Sequence, residues 1–271
     1  MPELPEVETT RRGLAPHLEG SKVKKVTVRQ PSLRWAVPSD LAEKLEGRVI
    51  QSIQRRGKYL LFKNTQGTLI GHLGMSGSMR ICSGDSEIKK HDHVDIAMAN
   101  GNILRFHDPR RFGFLLWTED DPLQHKMLSK LGPEPLSDEF TGKLLHQLSR
   151  KRKVPIKNFI MDSCVVVGVG NIYASESLFS AGIRPTRSAG KVSLAAYEQL
   201  AEIIRIVLAR SIDQGGTTLK DFVNSDGQPG YFAQQLNVYG RAGQACPQCQ
   251  TEIKSKVIGQ RNSFYCPACQ K

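Results

Sequence analysis

The final 26 residues hold four of the six cysteines, spaced Cys246-x2-Cys249-x16-Cys266-x2-Cys269. No other feature restricts the fold as much. Each CxxC pair can present two thiolates to one ion, and tetrahedral Zn2+ takes four such ligands. So short a segment cannot bury a useful core alone, so the metal must hold it, contributing on the order of 10 kcal/mol. Protein fills all four positions, which makes the expected single Zn2+ structural. Lys254, Lys256 and Arg261 lie between the pairs, as suits a finger that grips phosphate. Paired rather than dispersed cysteines indicate a reducing compartment, and a cytoplasmic protein is expected. Cys82 and Cys164 stand alone, and Cys164 is expected as a buried small hydrophobe.

The whole chain of 271 residues allows two domains with a small appendage, at about 100–200 residues per domain. Glu6–Leu18 reads as a helix with Pro5 in its first turn and Gly20 closing it. Short β-rich runs follow at Lys22–Arg29, Val49–Arg55, Lys58–Lys63, Thr68–Leu73, Asp92–Met98, Asn102–Phe106 and Gly113–Trp117, separated by Gly, Asn and Asp. That pattern predicts an antiparallel sandwich or barrel. Gly132-Pro133-Glu134-Pro135 continues neither element type and is expected as the linker. Helical periodicity dominates afterwards. Asp138–Ser149 is one helix, and Ser193 caps a longer one whose stripe runs from Leu194 to Ile212 and ends at Gly215-Gly216. Gly168–Tyr173 reads as a tight turn with Asn171 as N-cap. The expected domains are 1–132, 133–236 and 237–271.

Charge narrows the partners. Lys and Arg exceed Asp and Glu by 12, and the pI is about 9.5. Nucleic acid is favoured over a membrane surface, because no amphipathic basic helix stands out. No apolar stretch approaches the roughly 20 residues of a membrane span, and the N-terminus has no signal-peptide pattern. Three motifs fall short. Gly168-x-Gly170 lacks the third glycine of a dinucleotide loop, and Gly74-Met75-Ser76-Gly77-Ser78 misses the last glycine of a nucleophile elbow. His91-Asp92-His93 is expected as polar surface.

The N-terminus is unusual. With Met1 removed, Pro2 presents a secondary α-amine, partly unprotonated at neutral pH, directly before the Glu3 carboxylate. Such an amine attacking an aldehyde-level carbon gives a permanently cationic iminium. Alone, this is an ordinary chain end. It is joined by Gly57-Lys58-Tyr59-Leu60, His72–Gly77, Asp108-Pro109-Arg110-Arg111-Phe112-Gly113, Gly168–Glu176 and the cysteine tail. Taken together, in this order and over the whole length, the chain closely resembles the bacterial formamidopyrimidine-DNA glycosylases.

The resemblance implies an α+β multidomain protein: an N-terminal antiparallel β-sandwich flanked by helices, a helix–two-turn–helix domain and a C-terminal zinc finger. It implies a monomeric base-excision enzyme that removes oxidised purines from double-stranded DNA and then cuts at the abasic site by β- and δ-elimination. Carried over by residue, Pro2 is the nucleophile, Glu3 the acid that opens the sugar ring, Lys58 an aid to β-elimination, and Arg261 the phosphate holder in the second elimination. Met75, Arg110 and Phe112 match the trio that fills the space left by an extruded nucleotide. His91, Arg152 and Asn171 match backbone contacts. Residues 215–231 resemble the loop that closes over the extruded base. The rival expectations are an endonuclease VIII-like enzyme for oxidised pyrimidines and a non-catalytic zinc-ribbon DNA-binding protein.

Overall fold

The computed structural model describes residues 1–216 and 236–271. Most of the capping segment expected at 215–231 therefore lies outside the described residues. The chain forms two compact units, one built on Met1–Lys130 and one on Leu131–Asp213 with the C-terminal segment.

The first unit opens with helix α1, Leu4–Leu18. It starts two residues before the expected Glu6, because Glu3 acts as N-cap and the Glu6 carboxylate reaches back to accept the Glu3 N–H at 2.8 Å. Pro5 then falls in the first turn, where a missing N–H costs nothing. Val7, Leu14 and Leu18 form its buried stripe. Gly20, at φ 75°, turns the chain out of the helix.

Two four-stranded antiparallel sheets follow. One is ordered β1 (Val23–Val28), β6 (Asp92–Met98), β7 (Ile103–His107), β5 (Ser78–Cys82). The other is ordered β2 (Ser52–Arg56), β3 (Tyr59–Asn64), β4 (Gly67–His72), β8 (Phe114–Thr118). Their inner faces share one core, in which Val26, Val94, Leu104 and Phe106 meet Leu60, Phe62, Leu69 and Leu115. This is the expected sandwich. Sequence reading missed β5, although its Ser-Met-Arg-Ile-Cys alternates polar and apolar with Met79 and Ile81 facing the core, and the five-residue helix α2 (Leu41–Leu45).

In the second unit α3 is Gly142–Ser149, shorter than expected, because the Thr141 hydroxyl accepts the Leu144 N–H at 3.1 Å and caps it there. Helices α4 (Ile156–Met161), α5 (Asn171–Ser180) and α6 (Leu194–Asp213) follow. Ser193 caps α6 as expected, accepting the Ala196 N–H at 3.3 Å. Asn171 is not the N-cap of α5. Gly170 holds that position and Asn171 is the first helical residue, its side chain being drawn to other partners. Cys164 is exposed, against expectation. Its N–H bonds the Asp162 carboxylate in a tight turn, and Val165, Val166 and Val167 take the buried positions instead. Among the described residues no helix is long and apolar enough to cross a membrane. The tail folds as a hairpin of β9 (Lys254–Ile258) and β10 (Arg261–Tyr265). Gly259 and Gln260 turn it at φ 56° and 61°, matching the two positive angles of a tight hairpin turn.

Candidate active site and zinc centre

Pro2 and Glu3 are buried at the head of α1, Glu3 being 2% exposed. The helix lies against β2 and β3, and Lys58 sits in the two-residue turn joining those strands. Gly57 supplies the positive φ that this turn needs, 57°. The Lys58 charge is felt at His72, which pairs across the sheet with Tyr59. Desolvation, then Lys58 and Arg34, lower the His72 pKa to about 4. His72 is thus neutral at pH 7. Its Nδ1 accepts the Gly74 N–H at 2.9 Å, which leaves the proton on Nε2, and its ring stacks on Phe114 at 5.1 Å. Farther along α1, burial would raise the Glu8 pKa, but hydrogen bonds from Arg11 and Arg12 and the charge of Arg55 outweigh it and bring it to about 2.

Four expected DNA-contacting residues gather around one carboxylate. Asp108 begins a turn, Asp108-Pro109-Arg110-Arg111, closed by the Arg111 N–H to the Asp108 carbonyl at 3.2 Å. Pro in the second position suits it. Arg111, at φ 55°, occupies the fourth position, where glycine is commoner. The Asp108 side chain is fully buried and accepts from Ser76 Oγ at 2.7 Å, the Gly113 N–H at 2.7 Å and the Arg110 N–H at 3.3 Å. The Met75 loop and the Arg110–Phe112 loop are therefore tied together. Phe112 is 38% exposed, with the Arg110 guanidinium 4.9 Å from its ring centre. His91 joins them through its carbonyl, which accepts the Asp108 N–H at 3.0 Å. His93 is buried rather than polar surface, because its Nε2 bonds the Asp108 carbonyl at 2.8 Å.

Arg152, Asn171 and Arg261 belong to the second unit. Arg152 and Arg261 are exposed. Asn171 Nδ2 donates to the Asn262 carbonyl at 3.0 Å, beside Arg261, so the start of α5 meets the hairpin tip. Lys157, only 1% exposed, donates to Asn171 Oδ1 and Ser263 Oγ, each at 2.6 Å. Its position in an apolar helix offered the sequence reading no signal. Glu176 ends the Gly168–Glu176 motif, but sequence reading gave it no role. It is buried on α5 and accepts the backbone N–H groups of Asn237, Val238 and Tyr239 at 2.8–3.0 Å. Asp108 stood within a motif already singled out, and its Asp-Pro pair was a legible turn signal.

The sulfurs of Cys246, Cys249, Cys266 and Cys269 all lie within 4.8 Å of one another. Tetrahedral thiolates at ~2.3 Å from zinc stand about 3.8 Å apart, so the four fit one ion. Their acidities are driven apart. Hydrogen bonds from Thr251 lead the causes that lower Cys249 to about 6, while the hydrogen bond with Cys249 leads those that raise Cys269. Four thiolates so close require a cation, and one structural zinc satisfies them.

Known families divide the chain in the same order. The formamidopyrimidine-DNA glycosylase N-terminal domain matches residues 1–115, its helix–two-turn–helix domain residues 131–223, and the zinc finger found in FPG and IleRS residues 243–271. A formamidopyrimidine-DNA glycosylase of Marinobacter nauticus is 57% identical over 271 residues, covering 100% of both chains. The structure of a Lactococcus lactis FPG mutant with DNA containing Fapy-dG superposes with TM-score 0.91 at 34% identity, covering 100% of both chains. The Lactococcus lactis Fpg complex with DNA containing an abasic site gives TM-score 0.91 at 34% identity over 99% of each chain. With the fold, the four-cysteine centre and the full-length match in agreement, this chain belongs to the formamidopyrimidine-DNA glycosylase family.

Proposed function

We propose that this protein is a base-excision repair glycosylase and abasic-site lyase that removes oxidised purines, 8-oxoguanine and formamidopyrimidines, from double-stranded DNA. The observation that carries the reading is full-length family membership with the Pro2-Glu3 head intact at the start of α1. Related proteins were captured on DNA with a Fapy-dG lesion and with an abasic site, the substrates of the two proposed steps.

In this reading the unprotonated Pro2 nitrogen forms a bond to the sugar C1′ while the glycosidic bond breaks and the base leaves with a proton. Glu3 gives a proton to the ring oxygen, the ring opens, and the amine and C1′ are left as an iminium. The iminium draws electrons from C2′, whose proton departs as the 3′ phosphate leaves, with Lys58 aiding this elimination. Arg261 holds the second phosphate for its departure. Met75, Arg110 and Phe112 fill the vacated space: Arg110 offers a planar donor fork to the orphaned cytosine, and Phe112 is the aromatic wedge. His91, Arg152 and Asn171 contact the backbone, and Asn171 at the first turn of α5 is placed where backbone amides favour phosphate. Zinc holds the finger and takes no part in the chemistry. We further assign domains at 1–132, 133–236 and 237–271, a monomer, and action in the cytoplasm.

Borohydride reduction of the iminium is the test. Protein with a free Pro2 should become covalently attached to an 8-oxoguanine duplex. Protein that keeps Met1 or an N-terminal tag should neither trap nor excise, because an amide nitrogen is not nucleophilic. Full activity of a verified tagged preparation would move the nucleophile elsewhere. A panel including oxidised pyrimidines separates this reading from an endonuclease VIII-like preference.

A further inference from the structure

We infer that the Ser76–Asp108 hydrogen bond is a positioning latch that makes the Met75 loop and the Arg110–Phe112 loop enter DNA as one rigid piece. The inference rests on the proposed wedge role of Met75, Arg110 and Phe112. Ser76 is 3% exposed and Asp108 is fully buried, so neither touches DNA and both act through their neighbours.

The Ser76 hydroxyl faces both ways: it donates to Asp108 Oδ1 at 2.7 Å and accepts the Arg110 N–H at 3.2 Å. The other Asp108 oxygen takes the Gly113 N–H at 2.7 Å. One carboxylate and one hydroxyl thus bracket Phe112 on both sides and fasten it to the residue after Met75. The two backbones touch as well. A Cβ on Gly74, which sits at φ 66°, would collide with the backbone of Phe112 and Gly113. Between the brackets the turn is held under strain, with Arg111 in the left-handed region at φ 55°. A hinge on either loop would let the wedge yield when it meets stacked bases. The latch removes that freedom. Its effect belongs to the step in which stacking is broken, since a pre-extruded or unpaired lesion gives the wedge nothing to push against.

The experiment compares Ser76→Ala with wild type on two substrates: 8-oxoguanine opposite cytosine in a duplex, and a pre-formed abasic site in a single strand. One hydrogen bond to a charged group corresponds to roughly tenfold, so duplex excision should fall by about that factor. Single-strand cleavage should hold, and the melting temperature should fall by only a few degrees, because a buried carboxylate loses one of its donors. Ser76→Thr, which keeps the hydroxyl, should recover most of the rate. Asp108→Asn, with one acceptor oxygen for three donors, should fall in the same direction as Ser76→Ala. Met75→Ala should cost less on the Ser76→Ala background than on wild type, because a loosened Met75 has already lost its leverage. Wild-type duplex excision by Ser76→Ala, with Met75→Ala and Phe112→Ala impaired, overturns the latch and leaves the wedge standing. Equal loss on both substrates reduces Ser76 to a general structural role and also overturns it. If Met75→Ala and Phe112→Ala excise normally from duplex, the wedge reading fails and the latch with it.

Discussion

The β-sandwich and the zinc finger solve the same problem by opposite means. In the sandwich, both sheets and α1 contribute apolar side chains to one continuous core. Stability there is spread over many residues, each giving about 1.5–3 kcal/mol on burial. Pro2, Lys58 and Phe112 sit on that frame, and Glu3 joins it as the N-cap of α1. In the finger, the buried cluster is Cys246, Ile253 and Cys266 with Val238 and with Phe179 borrowed from α5. Two of those five are themselves metal ligands. A distributed core tolerates single losses, and a ligand set does not.

The contrast can be broken in four ways, the largest expected effect first. Chelation, or Cys249→Ser, should release zinc and unfold the finger completely, removing stabilisation on the order of 10 kcal/mol. Both tryptophans, Trp35 and Trp117, lie in the first unit, so their fluorescence reports on the sandwich alone. It should stay native while zinc analysis reads zero. A sandwich that unfolds with the metal would refute the independence argued above.

Phe62→Ala should show the opposite pattern. Phe62 is 1% exposed in the shared core, and truncation should lower sandwich stability by about 3–5 kcal/mol. Denaturation followed by tryptophan fluorescence should record a lower midpoint, with zinc content unchanged.

Acid provides a smaller and more local probe. Glu8 has its pKa lowered from 4.5 to about 2, so its stabilising contribution is complete above pH 4.5 and fades as pH falls towards 2. The difference amounts to at most about 3 kcal/mol. Glu8→Gln should flatten the stability profile in that window and lower stability at neutral pH, because Arg11 and Arg55 lose their charged partner. His72 works at higher pH: with its folded pKa at about 4, stability drops as pH falls below the ordinary 6.5. A profile flat from pH 7 to 2 in wild type would contradict both assignments.

Arg261→Ala should disturb stability least. The side chain is exposed on the hairpin, so zinc content and melting should not change. The slope of log affinity against log salt should flatten by about 0.9 for one lost phosphate contact. A gel resolving once-cut from twice-cut ends should show products stalled after the first cut. Normal double cutting with an unchanged slope would make Arg261 an ordinary solvated charge.

How much of this was legible beforehand depended on the range of the forces involved. The α1 and α6 helices, most strands and the zinc ligands could be read, since each follows from periodicity, a cap or a ligand spacing within a short stretch. Local rules failed where a distant partner decided. Asn171 looks like an N-cap, yet its side chain is claimed by Lys157 and Asn262, 14 and 91 residues away. Cys164 looks like a core residue until Asp162 turns it outward and three valines take the interior.

The sequence by itself determined that a metal holds the tail and that an antiparallel β unit precedes a helical one, and its family resemblance named the residues proposed for the reactive head and the wedge. Tertiary structure alone decided how those residues are supported. Nothing in the spacing of Ser76 and Asp108 says that they meet, because the chain between them, which separates them by 32 positions, must close into strands before the bond can form. The same holds for Lys157, a charge buried in an apolar helix and made tolerable by Asn171, Ser263 and the Asn262 carbonyl brought to it. Burial makes an unpaired polar group costly, and only the folded chain determines which groups are buried together.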